Sequence, residues 1–447
     1  MRVLMFTWEY PPHVVGGLGK HVTELAPALV GQGVELHIVT PRWAGGKKEE
    51  HAGSLHIYRV SPPDGPFDDV NDSAERTNAR LGDFAEELSN DVGGFDLVHV
   101  HDWLVAFAGE RLKHAHKVPL VATIHATEMG RNHGHLYADL QQTIHSVEWW
   151  LAYEAWRVIC CSQFMAWEVQ TYFQSPSDKI DVIPNGVDTA RFDRWQGVDL
   201  SNFRRRYATP EEKIVFYVGR VVYEKGVQVL LDAAPKVLAQ FPQARFVIAG
   251  TGTMLGELRH RVEAQGLGGK VTLTGFVSDE DRDRLLTLAD CVVFPSLYEP
   301  FGIVALEAMA ARCPVIVAEV GGLREVVEPE VTGTWVWPDR PDSLAWGILR
   351  ALDQPEYVQK MAMAAYERAR TVYDWSRIAR ITQFAYRRVW KEYCADEWGM
   401  ESPLWGAKPV VGKARPRTAD RGPQTAKDKG RSQISDSRSQ KRGKAKT

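Results

Sequence analysis

The chain has 447 residues, beyond the roughly 250–300 at which a single hydrophobic core stops growing, so two or three domains are expected. With 44% hydrophobic and 25% charged residues it is neither wholly disordered nor collagenous nor a coiled coil. The formal net charge of −3 gives no hint of a polyanionic partner, but it averages a division: residues 401–447 hold 13 Lys/Arg against 4 Asp/Glu, leaving −12 on residues 1–400.

In chain order, short apolar runs alternate with amphipathic segments. The first set of expected strands is Arg2–Thr7, Val34–Thr40, Leu97–His101, Leu120–Ile124, Val158–Cys161 and Ile180–Ile183, with helical patterns at His21–Gln32 and Ile144–Trp156 among them. A stretch over Asn185–Pro210, with a Pro-Asn-Gly turn signal, interrupts the pattern. It restarts with strands at Lys213–Gly219, Arg245–Ala249, Val271–Thr274, Cys291–Phe294 and Val315–Ala318. Helices are expected between them at Val227–Gln240, Met254–Ala264, Asp279–Leu288 and Ile303–Ala311. Such alternation specifies parallel sheets with crossover helices, so the fold class is α/β with two doubly wound domains. Ligands of such sheets bind at the carboxyl ends of the strands. The domains are expected at 1–195 and 208–374, followed by a helix over Trp375–Glu397. A disordered basic tail is expected at 401–447, where large apolar residues nearly vanish.

Five cysteines, two of them adjacent (Cys160 and Cys161), form no CxxC pair and indicate neither a zinc site nor a disulfide framework. The first apolar run is cut by Glu9, too soon for a secretory signal, and no run approaches about 18 apolar residues. A cytoplasmic protein is expected.

Three stretches carry chemistry. The loop after the first strand, PPHVVGGLGKH, lacks the GxGxxG of dinucleotide folds, which counts against hydride transfer; its Gly16–Gly17 pair suits a phosphate approached by backbone N–H groups or, equally, a tight turn. FYVGRVVYEKG places Arg220 and Lys225 just past a strand, where two cations suit a diphosphate. SLYEPFGIVALEAMAA carries Glu299 and Glu307 eight positions apart, about 80° on a helical wheel, with N–H donors expected at Phe301, Gly302 and Ile303. A carboxylate within so apolar a helix needs a partner.

Together with EYPP…GGLG, IPNGVD, HDW (His101–Trp103) and TIHATE (Thr123–Glu128), these motifs resemble the retaining glycosyltransferases of family 4 over residues 1–395. The likeness is strongest to the bacterial glycogen and α-glucan synthases. It implies a GT-B fold: two Rossmann-like domains across a cleft, with a last helix crossing back to the first. It also implies a transfer of glucose from ADP-glucose or UDP-glucose to an α-(1→4)-glucan. The resemblance places Arg220, Lys225 and Gly17 at the donor diphosphate, Glu307 at the ribose and Glu299 at the sugar hydroxyls. His125 is placed beneath the anomeric carbon, Asp102 near the sugar or acceptor, and Phe276–Val277 beside the nucleobase. No carboxylate stands out as a nucleophile, and the likeness implies a front-face reaction assisted by the leaving phosphate.

Trp8 and Tyr10 flank Glu9 and are the expected acceptor contacts, by stacking on glucan rings. The many histidines of the first half lack a closed ligand spacing, and no metal or other cofactor is expected. A lipid or small-sugar acceptor in cell-envelope synthesis is the nearest alternative. A non-catalytic sugar-nucleotide-binding protein is disfavoured because Arg220, Lys225, Glu299 and Glu307 are all present. The tail lacks interleaved aromatic residues, so no nucleic-acid partner is expected; the sequence leaves donor base, acceptor and oligomeric state open.

Overall fold

The computed structural model describes residues 1–43, 45–396 and 398. Glu397 and the tail at 401–447 therefore lie outside the described residues.

The first sheet has eight strands: β1 (Arg2–Phe6), β2 (Glu35–Pro41), β3 (Glu49–Ala52), β4 (Leu55–Val60), β5 (Leu97–His101), β6 (Leu120–Ile124), β7 (Arg157–Cys160) and β8 (Ile180–Val182). Their order is β3-β4-β2-β1-β5-β6-β7-β8, parallel except for the β3–β4 hairpin. The second sheet has six: β9 (Lys213–Val218), β10 (Ala244–Ala249), β11 (Val271–Gly275), β12 (Cys291–Phe294), β13 (Val315–Ala318) and β14 (Thr334–Val336). Their order is β11-β10-β9-β12-β13-β14, all parallel. Strands β1, β5, β6, β9, β10, β12 and β13 are buried almost throughout, as strands covered by helices on both faces must be.

Both sheets reverse direction at their first strand. β1 has β2 on one side and β5 on the other; β9 has β10 and β12. The loops that follow β1 and β9 thus leave from topological switch points, where crevices open in doubly wound sheets. Apolar core is continuous between the domains: one buried cluster includes Leu4 and Phe6 from β1 and Phe216 and Val292 from the second sheet.

The interrupting stretch after β8 contains two short helices, Ala190–Asp193 and Ser201–Arg204. Its Gly186 lies against the Trp375 ring, where a Cβ would come within 2.5 Å of the indole. The last long helix runs Trp375–Ala395 and is capped by the Asp374 carboxylate, which accepts from the Ser376 and Arg377 N–H groups. It packs on helix Gly17–Gly31 of the first domain. Trp375 donates to Glu24 at 2.6 Å, the Tyr386 hydroxyl meets His99 Nδ1 at 2.7 Å, and Arg388 pairs with Asp181. Among the described residues no helix is long and apolar enough to cross a membrane.

Candidate active site

The loop after β1 is shaped by a residue the motif reading passed over. Glu9 Oε2 accepts from the Val15 and Gly16 N–H groups, at 2.8 and 3.0 Å. This folds the loop so that helix Gly17–Gly31 starts beside the cleft. Gly19 is required there, because a Cβ would lie 2.6 Å from the same oxygen. Arg59, from β4, braces the outer side of the loop by donating to Pro11 O. Across the cleft, a Cβ on Gly17 would lie 3.5 Å from Ile303 Cδ1, so the glycine turn meets the start of helix Ile303–Ala310.

The loop after β9 presents the cations. Lys225 closes a short 3₁₀ turn and donates to Glu299 Oε2 at 2.8 Å; Ser296 supports the same oxygen at 3.3 Å. Arg220 is half-exposed and reaches Glu224 at 3.3 Å, a contact that is weak in solvent. Gly226 has φ +68°, and a Cβ there would lie 1.9 Å from Pro295 O, so this turn rests directly on the loop after β12. The wheel placement of Glu299 and Glu307 is corrected: Glu299 lies in the loop before the helix, which begins only at Ile303. Proline and a left-handed Gly302 (φ +105°) hold residues 300–302 out of the helix. Gly302 supplies no side-chain cap, so the N–H groups of the first turn point at the cleft with the positive end of the helix behind them. Nearby, Phe276 is exposed and Val277 half-buried in the loop that follows β11.

Glu307 is buried on that helix and has found cations from three segments. It pairs with Lys20 of the glycine-loop helix, with Arg191 at 3.3 Å and with Arg282 at 3.5 Å. Arg191 in turn grips the buried Asp283 with two nitrogens. The partner that a carboxylate in an apolar helix requires is thus supplied partly from the other domain. None of Lys20, Arg191 and Arg282 was singled out from the sequence, because they come together only in the fold.

The first domain brings a different chemistry to the cleft. His99, His101 and His21 form a contiguous buried group that the partly exposed His125 completes at the cleft, with His101 Nδ1 3.1 Å from His125 Nε2 and His21 Nδ1 2.6 Å from Asn185 Oδ1. Burial holds all four rings toward the neutral form, His125 down to about 3. Asp102 follows β5 with φ +61°, strained for a non-glycine residue by about 1–3 kcal/mol. Its Oδ1 accepts from the His125 backbone N–H at 2.7 Å. Burial raises its carboxyl to about 7, opposed by that hydrogen bond and by Arg131. Asp102 therefore fixes the position of the His125 loop. Behind it, Tyr298 of the second domain donates to Glu168 at 2.9 Å, beside the Thr127–Glu168 hydrogen bond at 2.8 Å. The donor atoms of His21, His101 and His125 lie within 4.8 Å of one another, close enough to share a metal ion.

The two aromatic residues diverge. Trp8 is half-buried and packs its ring 5.0 Å from Trp43. Tyr10 is 7% exposed, enclosed in the core of the first domain, with burial pushing its phenol up to about 12. The expectation of an open stacking face at Tyr10 is corrected: past the end of β1 the chain no longer alternates, Trp8 stays partly exposed and Tyr10 is taken into the core.

Comparison with known proteins follows the same division. Residues 15–191 match the model "Glycosyltransferase Family 4", and residues 201–368 match "Glycosyl transferases group 1". An uncharacterized glycosyltransferase of Methanocaldococcus jannaschii is 39% identical over 87% of this chain and 98% of its own length. A glycogen synthase of Mycobacterium tuberculosis is 37% identical over 86% of this chain and 94% of its own. The solved structure of sucrose-phosphate synthase from Thermosynechococcus elongatus superposes with a TM-score of 0.77 at 24% identity, covering 88% of this chain and 99% of that one. With its paired Rossmann-like domains and facing strand ends, the chain belongs to the glycosyltransferases of the GT-B fold and is a relative of glycogen synthase.

Proposed function

We propose that this enzyme transfers glucose, with retention of configuration, from ADP-glucose or UDP-glucose to the non-reducing end of an α-(1→4)-glucan. The observation that carries the reading is the juxtaposition of the Lys225–Glu299 pair, the uncapped helix start at Gly302 and the Gly17 turn in one cleft. It is a cradle for a group that is anionic at one end and hydroxylated at the other. The relation to glycogen synthase, which spans nearly its whole length, directs the choice of sugar and acceptor.

In this reading Lys225 and Arg220 offset the charge that builds on the diphosphate as the glycosidic bond breaks, a role worth about 10²–10³ in rate per fixed donor. Glu299 and the N–H groups of Phe301, Gly302 and Ile303 hold the sugar hydroxyls and orient the anomeric carbon. Glu307 takes the ribose hydroxyls, and in doing so trades its contact with Lys20 for neutral donors. Val277 borders the nucleobase. His125 lies below the reacting carbon, and Asp102 acts on it by positioning. Both faces of the sugar are thus served without a dedicated carboxylate nucleophile, which favours a front-face reaction in which the leaving phosphate receives the acceptor proton. Trp8 offers an aromatic face to the glucan. In this reading the protein acts in the cytoplasm.

The test is release of nucleoside diphosphate from ADP-glucose or UDP-glucose in the presence of glycogen, together with analysis of chain extension. Release with a small sugar or lipid acceptor but not with glycogen would replace the glucan. Absence of release from any nucleotide-hexose would remove the donor assignment.

A further inference from the structure

A second group of histidines lies on the first sheet, away from the cleft. The register of three adjacent strands aligns His37 of β2 with His56 of β4, and His56 with His51 of β3. Side chains at paired positions project to the same face, so the three imidazoles form a row across the sheet. Their rings are in contact, with centroids 4.4 Å apart for His37–His56 and 5.1 Å for His51–His56. Glu35 precedes His37 by two positions and shares its face. Its Oε1 lies 3.2 Å from His37 Nε2.

The donor geometry is that of a metal-ligand set. Donor atoms of Glu35, His37 and His56 lie within 4.8 Å of one another, and His51 Nδ1 lies 2.9 Å from His56 Nδ1. Two nitrogens bound tetrahedrally to zinc at about 2.0–2.1 Å are roughly 3.3 Å apart, so small side-chain adjustments suffice. The surroundings point to a ligand too. His37 is 2% exposed, and its Nδ1 is buried with no hydrogen-bond partner. Arg2 Nε holds Glu35 Oε1, the oxygen that also faces His37, at 2.7 Å, and the guanidinium is itself anchored on Val92 O, so the carboxylate is fixed in place. Solvent reaches the row from the exposed His51 side, which provides an entry path.

We propose that Glu35, His37 and His56 bind one borderline divalent transition-metal ion, with His51 outside that set but against His56 at the rim, zinc being the best match to two imidazoles and one carboxylate. The site is structural. His37 and His56 lie in the amino-terminal halves of β2 and β4, whereas the cleft is at the carboxyl ends. An ion there would tie the β3–β4 hairpin to β2. That hairpin carries Arg59, which braces the glycine loop through Pro11 O, so the ion would stiffen one wall of the donor site from a distance.

The experiment uses the untagged full chain, stripped with chelator and titrated with ZnCl₂ by calorimetry. Binding of Co²⁺ is followed in parallel by its visible absorption, which is intense for tetrahedral nitrogen–oxygen ligation. One ion is expected on this row, with a rise in Tm. His56→Gln and His51→Gln lie on an outer hairpin and should leave the Tm of the stripped protein unchanged. His56→Gln should weaken binding at least tenfold and remove the Zn²⁺-induced rise; His51→Gln should weaken it less. His101→Gln, which alters the cleft histidines, should leave this binding intact. No stoichiometric binding by the wild type would overturn the proposal. So would undiminished binding in His56→Gln, or binding abolished by His101→Gln and not by His56→Gln.

Discussion

The two walls of the cleft solve opposite electrostatic problems. The second-domain wall is built on paired charges: Lys225 with Glu299, and Glu307 with its own Arg282 and with Lys20 and Arg191, which reach it from outside that domain. The first presents rings and a carboxyl that burial pushes toward neutrality, in His21, His99, His101, His125 and Asp102. A charged wall suits the part of a donor that carries charge throughout. A neutral, desolvated wall suits a reacting carbon where cationic character is brief and water must be kept away. The difference also separates what each wall is sensitive to: the charged one to loss of a single cation and, through Lys20, to alkaline pH, the neutral one to pH at and below neutrality.

The largest effect expected from breaking this comparison is on the charged wall. Lys225→Ala should lower kcat for nucleoside diphosphate release by about 10³ or more, since it removes a fixed cation and leaves Glu299 without its partner. A decrease below tenfold would show that the diphosphate lies elsewhere. Next, Gly226→Ala should destabilise the fold by about 3 kcal/mol or more, measured by denaturant unfolding, because both φ and the Pro295 contact forbid a Cβ.

The neutral wall should answer in pH instead. Asp102 titrates near 7 when folded and near 3.8 when unfolded, so between these values the folded state binds the extra proton. Its contribution is present below about pH 4 and is lost as pH rises through 7. Asp102→Asn should therefore gain stability relative to wild type as pH rises from 4 to 7, by a few kcal/mol at most, read from Tm against pH. His125, held near 3, has the opposite sign: its contribution is complete above 6.5 and is lost as pH falls toward 3. His125→Gln should flatten that acid limb. A parallel pH profile in either variant would contradict the assigned shift. The smallest effect is expected at the rim, where Trp8→Ala should raise KM for glycogen up to about tenfold with kcat nearly unchanged; a kcat effect alone would argue against acceptor stacking.

Much of this was legible in the chain itself, for physical reasons that also explain the gaps. Strands such as Cys291–Phe294 and Val315–Ala318 stand out because both their faces are buried and every position is apolar. The hairpin strand Glu49–Ala52 does not, since it is an exposed edge reading EEHA. Helix Val70–Val92 is also missed: it buries a narrow stripe led by Ala74, Leu81, Ala85 and Leu88 under a broad polar surface. Site residues carried by contiguous motifs, such as Lys225 and Glu299, could be picked out together. Lys20, Arg191 and Arg282 could not, because only the folded topology places them around Glu307. Glu9 was visible only as a charge ending an apolar run, although its oxygen organises the entire glycine loop.

The returning helix Trp375–Ala395 has a consequence for how the protein is made. His99 receives its Tyr386 contact from 287 positions further along the chain. At about 5–20 residues per second, translation leaves His99 without this partner for on the order of 15–60 seconds. During that interval the apolar surface of helix Gly17–Gly31 that will meet Ile378 and Val389 is open to solvent and to chaperones. Of the two domains, the amino-terminal one is therefore made earlier and completed later.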